Sequence, residues 1–312
     1  MPKPIEADAR VIFVTGGTGF VGREVVRELS AAGYRPRLLV RNPQHPAAKS
    51  LAEKFRAEIR KGDVTEGTSL SEAMAGSQGV IHLVGIISEA REKTFENVHI
   101  RGARNIVEAT KKAGVKRLVH MSALGTRPNA ASRYHQSKWM AEEAVRQSGL
   151  DYTIFRPSLI FGPGDQFVNL FAKLARYSPI LPMMGPPTTR FQPVAVETVA
   201  AAFVRSLGEP KTIGRTYDLC GPDTLTLPEI LEEILLATKK RRLKVQIPRF
   251  AAQVQANLLE FVCGTVLGKP PPLNRDQLTM LREDNVGDRR QAMTDLNLPE
   301  LHFREGIQKW LK

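Results

Sequence analysis

Short apolar runs alternate with helix-length amphipathic segments through the first half of the chain. VIFVTG (11–16), RLLVR (37–41), AEIRKGD (57–63), GVIHLVG (79–85), KRLVHMS (116–122) and DYTIFRP (151–157) carry apolar centres bounded by turn residues. Such runs mark strands of a parallel sheet buried on both faces. Between them a helix is predicted from about Phe20 to Ala32, stopped by Gly33, and another through Ile100, Ala103 and Val107, stopped by Gly114. These follow from i, i+3, i+7 spacing and from glycine as a helix terminator. Repeated βα units of this kind predict an α/β fold, a Rossmann-type doubly wound parallel sheet.

After Pro157 the pattern changes. Pro and Gly gather in FGPGD (161–165) and LPMMGPP (181–187), the punctuation of loops over a site. FQPVAV (191–196) and GRTYDLCG (214–221) predict two late sheet strands with a helix over 197–207 between them. From Thr226 onward the sequence is mainly helical, broken by KPPPL (269–273). The chain therefore divides into a nucleotide-type domain of residues 1–157 with 191–220, and a smaller, mainly helical capping or substrate lobe of residues 158–190 and 221–312. In that lobe Leu258, Phe261 and Val262 repeat in the tract from Val254, with Gln253, Asn257 and Glu260 on the other face. Core packing is expected there in preference to an interfacial membrane helix, whose polar face should be rich in Lys and Arg.

Composition narrows the classes. Of 312 residues 42% are apolar and 25% charged, which excludes disorder, collagen and coiled coil. The two cysteines, Cys220 and Cys263, fall in no CxxC pair and no zinc spacing, as expected for a reducing cytosol. The tract 251–268 is interrupted by Gln253, Gln255, Asn257 and Glu260, so no transmembrane helix is predicted. Residues 1–10 lack the layout of a secretory signal, and a cytoplasmic protein is expected, with peripheral attachment to the inner face of a membrane as the variation. Lys plus Arg number 45 against 32 acidic residues, a net +13, a field that attracts anionic surfaces. KKRRLK (239–244) is the one dense basic run. It reads first as a solvated surface, second as a face for a membrane complex or other anionic surface, and not as a specific nucleic-acid site.

The chemistry gathers at strand ends. TGGTGFVG places Gly16, Gly19 and Gly22 between a strand and a helix, so that the segment Thr15, Gly16, Gly17, Thr18, Gly19, Phe20, Val21, Gly22 would cradle a diphosphate on its amides. The second strand ends at Arg41 where an NAD site carries Asp or Glu. A guanidinium there fits a 2′-phosphate, favouring NADP(H) over NAD(H), unless Arg41 merely caps the strand. Asp63 would contact the adenine amino group or cap its own turn. Tyr134 and Lys138 form YxxxK on one helical face. The ammonium is expected to lower the phenol pKa toward working pH, making Tyr134 the general acid/base. Ser122, at a strand end, would anchor a substrate oxygen. The bland alternative makes Tyr134 a cap residue and Lys138 a solvated partner of Glu142. His82, His99 and His120 lack ligand spacing and are expected to be satisfied structural histidines; His135 adjoins Tyr134 but is expected to point elsewhere.

These motifs, with ENVHIRGARNIVEAT, SRYHQSK and FRPSLIFGPGD, resemble the extended or atypical short-chain dehydrogenases/reductases over about the first 220 residues. VKRLVHMSALG, RFQPVAVETVA, TYDLCGP and LNRDQLTMLREDN are most similar to bacterial relatives of the nucleotide-binding accessory subunit of respiratory complex I. The resemblance implies bound NADP(H), lined by Gly16, Gly19, Gly22, Arg41, Asp63 with Val64, Val84 with Gly85, and Lys138, with Pro157 and Ser158 near the nicotinamide. Only residues 123–133 separate Ser122 from Tyr134, where sugar-nucleotide epimerases of that branch place a long loop, which argues against a large sugar-nucleotide pocket. Two functions follow: a reductase of a small carbonyl or alcohol substrate, or a non-catalytic protein holding NADP(H) at a respiratory membrane complex. A nucleic-acid or redox-sensing regulator ranks below both, since it leaves the YxxxK pair unexplained.

Overall fold

Each apolar run of the first half forms a strand of the computed structural model, which describes residues 10–311 apart from the side chains of 264–266. The expectation about a leader falls on residues 1–9, outside the described residues. The strands are β1 (Val11–Thr15), β2 (Arg35–Val40), β3 (Glu58–Lys61), β4 (Gly79–His82), β5 (Arg117–Met121) and β6 (Asp151–Pro157), followed by β7 (Ile160–Phe161), β8 (Ile180–Met183), β9 (Arg190–Phe191), β10 (Val194–Ala195), β11 (Arg215–Leu219), β12 (Leu225–Thr226) and β13 (Leu243–Gln246). The helices are α1 (Phe20–Ala31), α2 (Pro46–Phe55), α3 (Leu70–Met74), α4 (Gly102–Lys112), α5 (Arg133–Arg146) and α6 (Val168–Tyr177), then α7 (Val196–Ser206), α8 (Leu227–Ala237), α9 (Arg249–Leu259), α10 (Arg275–Met280), α11 (Arg290–Leu296) and α12 (Phe303–Gln308).

Seven strands pair in parallel in the order β11-β6-β5-β4-β1-β2-β3. Both faces are covered. Ile12, Val14, Ile81, Val119 and Phe155 pack under α1 and α7, while Phe13, Val80, Leu118 and Ile154 pack under α3, α4 and the end of α5. Strand order reverses between β1 and β4, so a crevice opens beyond their carboxyl ends, where open α/β sheets bind ligands. A second core around Phe161, Leu181, Phe191, Ile230, Phe303 and Ile307 joins α6, α8 and α12.

Two expectations change. FQPVAV does not enter the main sheet: it splits around Gln192 and Pro193 into β9, which pairs with β12, and β10, which pairs with β7. A proline, lacking its N–H, interrupts a ladder at that point. The tract from Val254 does not form a core either. Phe250, Val254, Leu258 and Phe261 are exposed, and the inward side of α9 is made by Ala252 and Ala256. Periodicity located the apolar sector but carried no information about which side meets the protein.

The alternative of a solvated Lys138–Glu142 pair gives way to a buried cluster. Glu142, fully buried on α5, accepts from Arg156 Nε at 2.8 Å and Nη2 at 2.7 Å and from Arg146. It ties α5 to β6. Removing one member strands the others' charge in a low-dielectric interior. Glu142→Ala is expected to lower the unfolding free energy by about 3 kcal/mol, read by urea denaturation; a loss below about 0.5 kcal/mol, the size of a neutral surface change, would contradict this.

Candidate functional site

The turn after β1 is built for close backbone approach. Gly16 has φ +75°, and a Cβ on Gly22 would lie 2.1 Å from Gly16 O and 2.6 Å from Gly17 Cα. Only glycine lets α1 begin this near the strand. Gly19 stands at the helix N-terminus with no side-chain cap, leaving first-turn N–H groups for an anion. The loop is braced from both sides: Gly19 N–H donates to Gly16 O at 3.0 Å, and Arg23 Nε donates to Thr18 O at 3.0 Å. Gly17 and Val21 are buried and Phe20 half-buried. Thr15 turns its hydroxyl away, to His82 Nδ1 at 2.7 Å.

Residues predicted from separate motifs meet along the crevice. Gly16 lies against Leu83 and Val84 at the end of β4. Gly85 lies against Lys138, whose Nζ would sit 3.0 Å from an added Cβ. Lys138 is buried and donates to Met121 O at 3.0 Å, at the end of β5. Burial pushes its ammonium down to about 8, against the pull of Glu142. Arg41 is exposed and faces Asp63 at 4.0 Å. Asp63 caps its own turn through Oδ1, which accepts from Thr65 N–H at 3.0 Å and hydroxyl at 2.9 Å. Val64 is buried beside Gly102, and its carbonyl accepts from Asn105 at 2.9 Å.

Other members are not drawn together. Ser122 is buried and its hydroxyl donates to Thr126 at 3.3 Å; among the described residues no hydrogen bond joins it to the phenol. Pro157 O accepts from Leu124 N–H at 2.9 Å. Ser158 gives its hydroxyl to Asn285 Oδ1 at 2.5 Å.

The Tyr134 environment departs from the spacing argument. Its ring packs among Phe95, His99 and His135, so His135 turns toward the phenol, not away. Burial first and the Asp276 carboxylate second push the phenol up to about 12, opposite to the lowering expected from Lys138. Asp276, on α10, accepts from the backbone N–H of Arg133 at 2.7 Å and of Tyr134 at 2.9 Å. A carboxylate on the first turn of α5 stabilises that turn, and the same charge opposes a phenolate.

The histidines divide. A π-helical turn at Glu96–Arg101 carries His99. Its Nε2 accepts from Ile86 N–H at 3.0 Å, so the proton resides on Nδ1, 2.8 Å from Ser137 Oγ, and Ser137 donates to Tyr134 O at 2.7 Å. His99 is thereby a link from the loop after β4 to the first turn of α5. His120 corrects the expectation of satisfied rings: both nitrogens are buried without a hydrogen-bond partner among the described residues, and the ring stacks on His82 at 5.3 Å. Burial and neighbouring cations hold His82 down at about 3, His99 at about 2 and His120 well below the ordinary range. Asp276 and Asn285 were missed by sequence reading, because each reaches the site from the far end of the chain.

A family model described as NAD(P)H-binding matches residues 16–167. The chain is 32% identical over 298 residues, 92% of itself and 74% of the relative, to the mitochondrial NADH dehydrogenase (ubiquinone) 1 alpha subcomplex subunit 9 of Arabidopsis thaliana. It is 39% identical over 200 residues to the ceramide reductase of Caulobacter vibrioides, spanning 63% of this chain and 61% of that one. A nucleoside-diphosphate-sugar epimerase from Staphylococcus aureus aligns with a TM-score of 0.75 over 95% of this chain and 99% of that chain at 17% identity, a likeness of fold alone.

Folded-state values below that of the unfolded chain mean that the unfolded state binds more protons as the pH falls beneath about 6.5. The stability these neutral imidazoles contribute is complete above that pH and is lost progressively toward their folded values. Urea unfolding at pH 5 is expected to give a free energy about 2 kcal/mol or more below that at pH 7; equal values at the two pH values would refute it.

Proposed function

The chain belongs to the NAD(P)H-binding family of atypical short-chain dehydrogenase/reductase-like proteins, and from that premise we propose that it is an NADP(H)-dependent reductase of a carbonyl substrate. One observation carries the reading. Lys138 holds an ammonium with three donors in a buried position at the carboxyl ends of β4 and β5, and among the described residues a single backbone carbonyl accepts from it. A buried cation so sparsely partnered suits a ligand rich in hydroxyls, and the adjoining glycine cradle suits its diphosphate.

The fit is specific at each end. A Cβ at Gly22 would fill the turn that α1 needs to present its amides, and Arg41, loosely held by Asp63, is free to meet a 2′-phosphate. Gly16 to Gly22 would hold the diphosphate, Lys138 the nicotinamide ribose, and Val84, Gly85, Pro157 and Ser158 the surrounding wall. When bound, NADPH supplies the hydride. Tyr134 supplies a proton from its phenol oxygen to the substrate oxygen, and Lys138, made fully cationic by its ligand, moderates the high pKa of that phenol. Ser122 anchors the substrate oxygen once its link to Thr126 yields.

A second reading, a protein that holds NADP(H) without turnover, is favoured by the same high phenol pKa and by a relative named as a complex I subunit. The two readings separate on one variant. Tyr134→Phe is expected to cut NADPH oxidation with a carbonyl panel by about 100-fold or more while leaving nucleotide affinity unchanged; no turnover by the unaltered protein would favour the holding role, and undiminished turnover in the variant would remove Tyr134 from the chemistry. Arg41→Glu is expected to weaken NADPH relative to NADH by roughly 10- to 100-fold, the value of a charge-assisted contact, in fluorescence titrations; an unchanged ratio would remove Arg41 from cofactor choice.

A further inference from the structure

An amphipathic helix normally turns its large apolar residues inward, and α9 does the reverse. Phe250, Val254, Leu258 and Phe261 are 79%, 50%, 60% and 61% exposed, while Ala252 and Ala256 make the inward contact. Their steps of four, four and three residues place the large side chains on one side of α9 and of the π-helical turns that continue it (Glu260–Val266), a ridge extended along the chain by exposed Val262 and Leu267. Just before α9, β13 exposes Leu243 and Val245, and Leu243 pairs in register with the exposed Ile180 of β8.

Cations border this apolar strip. Lys239, Lys240 and Arg241 immediately precede β13, all exposed, and none of them pairs with a carboxylate among the described residues. Arg249 at the start of α9 and Arg282 after α10 are likewise exposed without an ion pair among the described residues, and both line a hollow between α9, α10 and the loop at Gly185. Gln253, Gln255 and Asn257 on α9 are exposed and uncharged, so apart from Arg249 the positive charge beside the ridge comes from neighbouring segments.

We propose that α9 and the basic run 239–241 form a docking face for an anionic lipid bilayer, with the ridge of Phe250, Leu258 and Phe261 lying among the acyl chains and the cations at the headgroup phosphates. A ridge of protruding apolar side chains bordered by unpaired cations suits a fluid anionic surface. Apolar insertion combined with cationic attraction is the established recipe for interfacial helices. No helix among the described residues is long and apolar enough to cross a membrane, so this contact would be peripheral. The inference stands apart from the reductase reading, since a lipid-docked protein need not turn over substrate.

The test is vesicle flotation of the full chain, with phosphatidylcholine vesicles compared with vesicles holding about 30 mol% phosphatidylglycerol, the anionic component expected to matter. Flotation with the anionic vesicles is expected, weakening as salt is raised. The double variant Phe250→Ser, Leu258→Ser should reduce binding about tenfold or more, and so should the triple variant Lys239→Gln, Lys240→Gln, Arg241→Gln. Both should keep wild-type thermal stability and nucleotide affinity, since all five side chains are exposed; a variant that loses these is replaced by Phe261→Ser alone. Absence of flotation with anionic vesicles, or flotation indifferent to the substitutions, would overturn the proposal. So would a concentration-dependent dimer in solution that the apolar variant abolishes while vesicles go unbound, since the ridge would then belong to a second copy of this chain.

Discussion

A positive charge in the interior governs this molecule. Lys138 stands buried between the ends of β4 and β5, tethered among the described residues by one carbonyl, with its ammonium driven by burial down to about 8. That charge is a cost to the free protein and an asset to a complex, because burial penalises a cation only until something polar fills its remaining donors. Everything around it respects the requirement. Gly85 withdraws any side chain that would block the ammonium, His82, His99 and His120 stay neutral beside it, and Glu142, the carboxylate that pulls on it, is committed to Arg146 and Arg156.

The two parts of the chain meet at the first turn of α5. Asp276 closes that turn from α10, and α10 is itself fixed by Arg275, whose N–H and guanidinium bind Glu260 at the end of α9 at 2.6 and 2.9 Å. Asn274 bonds to Ser88 and to Ile87 O, in the loop after β4. Asn285 holds Ser158 after β6 and the Leu159 N–H. A short series of polar contacts thus runs from the end of α9 to the Tyr134 backbone, and the late helical segment supplies part of the frame around that turn.

What was legible in the sequence is what local physics determines. The apolar runs declared the strands, and the glycines of the first turn declared the cradle, because φ sign and Cβ clearance are properties of a few consecutive residues. Arg41 and Asp63 were placed correctly at neighbouring strand ends for the same reason. The phenol was misjudged because its burial, and after that the charge of Asp276 from 142 residues away in sequence, are set by the tertiary fold. Ser122 was expected to anchor a substrate oxygen and Ser158 to lie near the nicotinamide, and in the fold their hydroxyls answer Thr126 and Asn285. His120 could not be foreseen as an orphan, since satisfaction depends on what the packed neighbours leave within reach. The α9 ridge shows the limit of periodicity most clearly: the apolar sector was visible, and its direction was not.

Calorimetric titration of the intact protein with NADPH at pH 8, repeated in buffers of different ionisation enthalpy, addresses the central claim most directly. The account predicts one nucleotide bound per chain with uptake of a fraction of a proton, as the half-ionised ammonium of Lys138 becomes fully charged against its ligand, and loss of that uptake in Lys138→Met. Absence of binding by NADPH and NADH alike, or a proton uptake that survives the substitution, would contradict it.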